Sequence, residues 1–268
     1  MKNDRDRVNP SAQITASVVG RLYSVLTAVV LLILFLAVAS RTPALASDGD
    51  DHDPWMGFNR TMFTFNDKLD MWILEPAARG WDYVMPKRVQ QSVSNFFENL
   101  RTPRIALNNL LQGKPRDGAS DVGRFLVNTT VGLVGFFDPA SSWGMPSHDE
   151  DFGQTLGVWG VPAGPYLVLP FLGPSDPRDT GGLVVDYVSS VYWFYAPYTV
   201  TIPLNAVNTV NGRARILDTV HDLKEASVDY YVAVRNGFLQ RRQAQVEDRT
   251  GLSEKQGEEL YKLEDDKE

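Results

Sequence analysis

Residue types that could do chemistry are scarce in this chain of 268 residues. Its three histidines are His52, His148 and His221. Only His148 has acidic company, in the run SHDED (147–151), where Asp149, Glu150 and Asp151 could join it around a divalent cation. The spacing is not that of an H-E-x-x-H helix, in which two imidazoles share a face and a glutamate serves as base. A solvated acidic loop is the expectation here, with no metal and no cofactor. His52 falls in an acidic linker and His221 stands alone near a helix start. No G-x-S-x-G elbow offers a serine nucleophile, so a secreted hydrolase has no machinery. There is no cysteine, which removes disulfides, thiolate zinc sites and a lipid-modified cysteine. One further pair, Arg178 and Asp179, has the charges to hold a phosphate. An ion pair or a helix cap is the simpler reading of it.

The element that would position Arg178 and Asp179 is the most distinctive in the chain. Residues 151–179 read DFGQTLGVWGVPAGPYLVLPFLGPSDPRD, with glycines at 153, 157, 160, 164 and 173 and prolines at 162, 165, 170, 174 and 177. Proline removes a donor and clashes with a preceding helical turn, and in sheets it is confined to edges and bulges. The expectation is an ordered, apolar, irregular backbone, which is costly to bury unless it lines something or meets lipid headgroups. Two aromatics, Trp159 and Tyr166, sit within it, and Leu167 to Leu169, Phe171 and Leu172 could serve as its wall.

Around it the pattern is helical. Phe58, Met62, Phe65, Leu69 and Trp72 recur at three- and four-residue steps, one face of a 3.6-residue period. Asp53-Pro54 offers a cap and a first-turn proline, and Glu75-Pro76 ends or kinks the helix. Pro86 opens a second helix, Thr102-Pro103 a short third that stops at Gly113, and Pro115 a fourth. In VGLVGFFDPAS (131–141), Gly132 and Gly135 interrupt an apolar run. That run is either a helix–turn–helix corner or a flexible apolar hairpin. Asp179 to Tyr195, 203–217 and 222–246 read as further helices. The sequence beyond Gln245 is almost wholly polar and charged, a solvated extension.

The start of the chain is not part of this fold. Residues 22–40 are nearly all apolar, preceded by Lys2, Arg5, Arg7 and Arg21 and followed by Ala44-Leu45-Ala46 before Ser47. This is the layout of a cleavable signal peptide, although a stretch of that length could also remain as an anchor. The whole chain carries a formal charge of −7; losing residues 1–46 removes five basic and two acidic residues, leaving it near −10. Such a charge disfavours nucleic acid and charge-driven binding to anionic lipid. It leaves hydrophobic contact with a membrane open. All six tryptophans lie after residue 46. Many short helices with aromatic faces and no spanning run point either to a protein lying within one leaflet or to an α-helical globule with an aromatic core.

Five separated motifs occur in order: GFNRTMFTFN (57–66), NFFENLRTP (95–103), NNLLQG (108–113), RFLVNTTVGLVGFFDPAS (124–141) and the Gly/Pro segment. Together they resemble the MlaA (VacJ) family of Gram-negative outer-membrane lipoproteins over residues 53–242. The resemblance implies a mainly α fold, a ring-like multi-helix monotopic membrane protein with an irregular Gly/Pro-rich segment. The expected layout is a signal peptide at 1–46, a linker at 47–54, the helical domain at 55–243 and a charged tail at 244–268. It implies an outer-membrane, periplasmic-side component of intermembrane phospholipid transport, not an enzyme. Phospholipid would pass through the ring to a soluble periplasmic lipid carrier, with a trimeric porin as partner. A soluble periplasmic lipid-binding protein is the alternative. Candidates for the lipid path are Gly132, Gly135, Phe136, Gly157, Trp159, Gly164, Tyr166, Leu169, Phe171, Arg178 and Asp179. Trp55, Phe58, Phe65 and Trp72 are the candidates for facing the membrane. One departure matters: Ser47 stands where the family carries its acylated cysteine. A serine cannot take the thioether-linked lipid, so attachment would rest on the helices and on partners.

Overall fold

The computed structural model describes residues 53–190 and 196–247. The expected signal peptide, most of the linker and most of the charged tail lie outside these residues. Helix α1 (Met56–Leu69) runs without a break into a π turn (Asp70–Leu74) and then α2 (Glu75–Val84). Pro76 sits in the first turn of α2. It supplies no N–H to the helical ladder, and the π turn widens the helix where that donor is lost. The cap at Asp53 does not form. Trp55 is the N-cap residue and uses no side-chain bond, while Asp53 is buried and bonded elsewhere.

Helix α3 spans Lys87–Leu111 with Pro103 inside it, so the expected break at Thr102-Pro103 is absent. The Thr102 hydroxyl closes on the Glu98 carbonyl at 3.0 Å, and Ile105 and Ala106 beyond the proline are buried. Packing on both sides outweighs one missing donor. Helices α4 (Pro115–Thr130) and α5 (Pro139–Ser142) flank the 131–137 turn. The Gly/Pro segment is more regular than its composition indicates. It contains α6 (Phe152–Val158), capped by the Asp151 carboxylate on Gln154 N–H, and a hairpin of β1 (Leu167–Leu169) with β2 (Gly173–Ser175). The strands pair antiparallel, Leu167 with Ser175, Val168 with Pro174 and Leu169 with Gly173. With two short strands, both are edges, and Pro174 is tolerated on one of them.

Helix α7 (Pro177–Ser189) is capped by Asp176, not by Asp179. Helix α8 (Tyr198–Arg215) starts before its expected first residue. The single helix expected over 222–246 is two, α9 (Leu217–Ala226) and α10 (Tyr230–Val246), split where the Asp229 carboxylate accepts from Val232 N–H.

These elements close on themselves. Helix α1 packs on β1 and, through the π turn, continues into α2; α2 packs on α8, α8 on α3, α3 on α6, α6 on α10, α10 on β2, and β2 returns to β1. The result is a ring of helices sealed by the hairpin. Helix α4 lies along α3, α7 along α6, and α9 touches both α2 and α10. The aromatic core is small: Tyr166, Val168 and Tyr231, with Met62, Phe63 and Phe238 packed on it. Among the described residues no helix is long and apolar enough to cross a membrane.

Candidate functional site

Burial in this fold is inverted. Among the described residues, buried polar and charged side chains outnumber buried hydrophobic ones, while a long series of large hydrophobics is exposed. Most joints of the ring are closed by polar side chains. Asn59, fully buried, accepts from Val168 N–H at 2.9 Å and donates to the Tyr166 carbonyl at 2.9 Å and to Asp53 at 2.7 Å. Two turns on, Asn66 donates to the Leu169 carbonyl at 2.8 Å and accepts from Phe171 N–H at 2.7 Å. The two asparagines thus act as a third strand, bonding the hairpin backbone along its free edge. The sequence signal for these two clamps is asparagine, a poor helix former, twice in one amphipathic helix.

The other joints follow the same rule. Asn211 of α8 accepts from Trp81 Nε1 at 3.0 Å and donates to the Gln90 carbonyl and Ser94 hydroxyl of α3. Arg213 grips Asp70 of the π turn with two bonds of 2.7 and 2.9 Å. Thr155 of α6 donates to Asn108 of α3 at 2.9 Å. Arg242 of α10 forks onto Asp151 at 2.6 and 2.7 Å and also bonds Asp179. Burial alone would raise the Asp151 carboxyl, yet the Arg242 guanidinium holds it below the ordinary aspartate range. The expected solvated acidic loop at 147–151 is therefore a structural seam. Glu150 is buried against Gln112 and Lys114, and His148 bonds Asp121 at 2.8 Å.

The outward surface is apolar. Met71, Trp72 and Ile73 of the π turn are all exposed, Trp72 by 68 %. Phe58 and Phe65 are exposed on α1, and Phe65 meets Phe171 edge-on at 5.3 Å. Phe171 and Leu172 form the hairpin tip, Phe171 at 77 % exposure and with φ +66, a conformation that costs a bulky side chain. Trp55 differs from the other membrane-facing candidates. It is half-buried and lines a cavity of about 460 Å³ with Leu156, Val161, Pro162, Pro165 and Pro177.

The 131–137 turn is tightly built. Leu133, Val134 and Gly135 all have positive φ. A Cβ on Gly135 would lie 2.4 Å from Asn99 Cβ, and one on Gly132 would lie 2.4 Å from the Asn128 and Phe137 carbonyls. Both glycines are thus required by close approach. The turn exposes Val131, Leu133, Val134, Phe136 and Phe137, and Phe136 stacks on Phe96 at 5.1 Å. Its base is fixed by Asp138, which accepts from both Arg124 and Asn128.

The remaining path candidates separate. Gly164 lies between two cavities, the apolar one beside Trp55 and another of about 640 Å³ against α10, and Arg178 lines both. Trp159 is exposed, with its Nε1 donating to the Leu111 carbonyl at 3.0 Å. Gly157 lies close against Arg178 and Val246. Leu169 is half-buried, its carbonyl held by Asn66. Tyr166 belongs to the buried core instead of an open wall. Arg178 and Asp179 form a buried ion pair at 2.9 Å that continues to Arg242, which is the simpler of the two readings of that pair. Asp176, beside them, is pushed up to about 7 by burial.

The MlaA lipoprotein family model matches residues 51–245. The chain is 38 % identical over 206 residues to the intermembrane phospholipid transport system lipoprotein MlaA of Escherichia coli K12, covering 73 % of this chain and 80 % of that one. It is 35 % identical over 201 residues to the protein of the same name from Haemophilus influenzae, covering 74 % and 80 %. An uncharacterized protein of Rickettsia felis is 37 % identical over 197 residues, 73 % of this chain and 78 % of its own. A solved chain from work on the structural basis for maintenance of bacterial outer membrane lipid asymmetry superposes with a TM-score of 0.65. It is 35 % identical and covers 72 % of this chain and 98 % of that one.

Proposed function

The chain belongs to the MlaA lipoprotein family, and from that premise we propose that it is the outer-membrane component of an intermembrane phospholipid transport system. In this reading it lies in the periplasmic leaflet of a Gram-negative outer membrane. It withdraws phospholipid that has strayed into the outer leaflet and passes it through the ring to a soluble periplasmic carrier. A trimeric porin is its membrane partner. The observation that carries the reading is the inverted burial: polar side chains close the joints while large apolar ones face outward. Lipid tails are as apolar as leucine, so helices within a leaflet gain nothing from hydrophobic burial against one another. They are held by packing and hydrogen bonds, which is the distribution found here. A protein bathed in periplasm on every side would leave Trp72, Phe171 and the 131–137 turn in water at an unfavourable cost.

The work of such a component is to bind and orient, not to make or break bonds. An amphipathic ligand needs apolar wall for its tails and a few charged groups for its headgroup. The cavity beside Trp55, lined by Leu156, Val161 and Pro162, offers such wall, and the arginines that border the neighbouring cavities offer charge. The test is to delete the gene in its native host and measure surface phospholipid by outer-leaflet labelling. The expected result is accumulation, reversed by the wild-type gene. Unchanged outer-leaflet phospholipid in the deletion strain would overturn the proposal.

A further inference from the structure

A third cavity, of about 320 Å³, opens between α3, α7, β2 and α10. Its wall draws four arginines from two helices, Arg101 and Arg104 of α3 and Arg241 and Arg242 of α10, and four aspartates, Asp149, Asp151, Asp179 and Asp186. The charges balance in number but not in placement. Arg242 is saturated by Asp151 and Asp179. Arg104 reaches Asp186 only at 3.5 Å, and its enclosed Nε has no acceptor. Arg241 and Asp149 face each other at 3.5 Å with side chains 71 % and 60 % exposed, a pair too loose and too hydrated to be worth much. Arg101, one turn from Arg104 on the same face of α3, is exposed and has no ion-pair partner among the described residues. Donors in want of acceptors therefore line this cavity, beside a carboxylate that is readily released.

We propose that this cavity receives a zwitterionic phosphodiester headgroup, with the phosphate on Arg101, Arg104 and Arg241 and the ammonium on Asp149. Guanidinium forks match phosphate oxygens geometrically, and the enclosed Arg104 Nε gains the acceptor it lacks. Taking Asp149 for the ammonium frees Arg241 for the phosphate, so one ligand satisfies both halves of the loose pair. An anionic headgroup without an amine would leave Asp149 opposed to nothing. Leu183 lines the same cavity and is exposed, as is Tyr187 one turn further along α7, so an apolar track leads outward for the acyl chains. This deepens, and rests on, the reading of the chain as a phospholipid carrier.

The test is direct binding to the full mature protein in detergent. The probes are dihexanoyl-phosphatidylethanolamine, dihexanoyl-phosphatidylglycerol and inorganic phosphate. The wild type is expected to bind the ethanolamine lipid most tightly. Arg101→Gln should lower that affinity about tenfold, the value of one charge-assisted bond, and Asp149→Asn should abolish the preference over the glycerol lipid. Both side chains are exposed, so thermal melts should match the wild type and exclude misfolding. If the wild type binds both lipids and neither substitution changes affinity or preference, this inference falls while the transport reading stands. If the wild type binds no phospholipid at all, both fall. Phosphate bound as tightly as lipid, with equal sensitivity to Arg101→Gln, would mark a general anion site and overturn the lipid assignment.

Discussion

Asn59 and Asn66 show how much of this fold depends on single polar atoms. Each serves two backbone groups of the hairpin, so removing either leaves a donor and an acceptor of a short two-stranded sheet without partners. Stranding buried polar groups costs about 1–3 kcal/mol each, a penalty that falls in full on the groups held by Asn59 and only in part on the more exposed ones held by Asn66. Asn66→Leu, similar in size and without hydrogen-bonding atoms, should lower the melting temperature of the detergent-solubilised protein and loosen the tip at Phe171. Hydrogen exchange at the amide of Phe171 reads this directly, and unchanged protection there would refute the clamp. Asn59→Leu should be worse, because its groups are fully buried and Asp53 also loses one of its partners, keeping Tyr231 and Arg235. His148 makes a pH-dependent tie of the same kind. The hydrogen bond to Asp121 raises its imidazole above the ordinary 6.5, against the opposing effect of burial, and Asp117 and Glu150 add to it. A group raised in the folded state contributes stability that is complete below its unfolded pKa and is lost as pH rises through the folded one. The wild type should therefore melt at progressively lower temperature as pH rises from about 6.5 through the raised value. His148→Gln should flatten that slope. A wild-type slope equal to the variant's would remove His148 from the account.

Elements with a strong apolar period were legible in the sequence, and those governed by polar pairing were not. The face of α1, the π turn just ahead of Pro76 and the starts of α3 and α4 all follow from period and proline position. The continuity of α3 through Pro103 does not, because it depends on what Ile105 and Ala106 pack against. Nor does the hairpin inside the Gly/Pro segment, whose ordering partner is α1, more than a hundred residues earlier in the chain. The separation of α9 from α10 turns on one cap at Asp229 that apolar spacing conceals. The 131–137 turn lies between these cases. Its glycines mark a bend, but only the structure shows that Asn99 leaves no space for a Cβ at Gly135 and that φ is +92 there. Gly135→Val should therefore strain the backbone and collide with α3, and its loss of lipid asymmetry should track a loss of folded protein. Protein that stays abundant and membrane-bound while phospholipid accumulates in the outer leaflet would instead make this turn a hinge.

At the scale of the whole molecule, the ring's exterior must do the work that an acyl anchor does elsewhere. The chain has no cysteine, and Ser47 follows the small-x-small site, so no thioether lipid can hold the processed protein. A single acyl chain gives only marginal, reversible binding. The exposed π turn with Trp72, the hairpin tip and the 131–137 turn present several large apolar side chains that can enter lipid together. Their exposed side chains are uncharged, Asp70 of the π turn being held by Arg213, so salt has little to screen. The mature protein should therefore begin at Ser47 without added mass, stay with the outer membrane through a high-salt wash and leave it only in detergent. Phe65→Asp, which puts a charge beside Phe171 on this surface, should weaken retention at a cost of up to several kcal/mol, less where the carboxylate reaches water. Intact-mass measurement and membrane fractionation decide the matter together. Recovery of the wild type in the soluble periplasm, or its release by salt alone, would mean that the apolar exterior is covered by another protein instead of lipid.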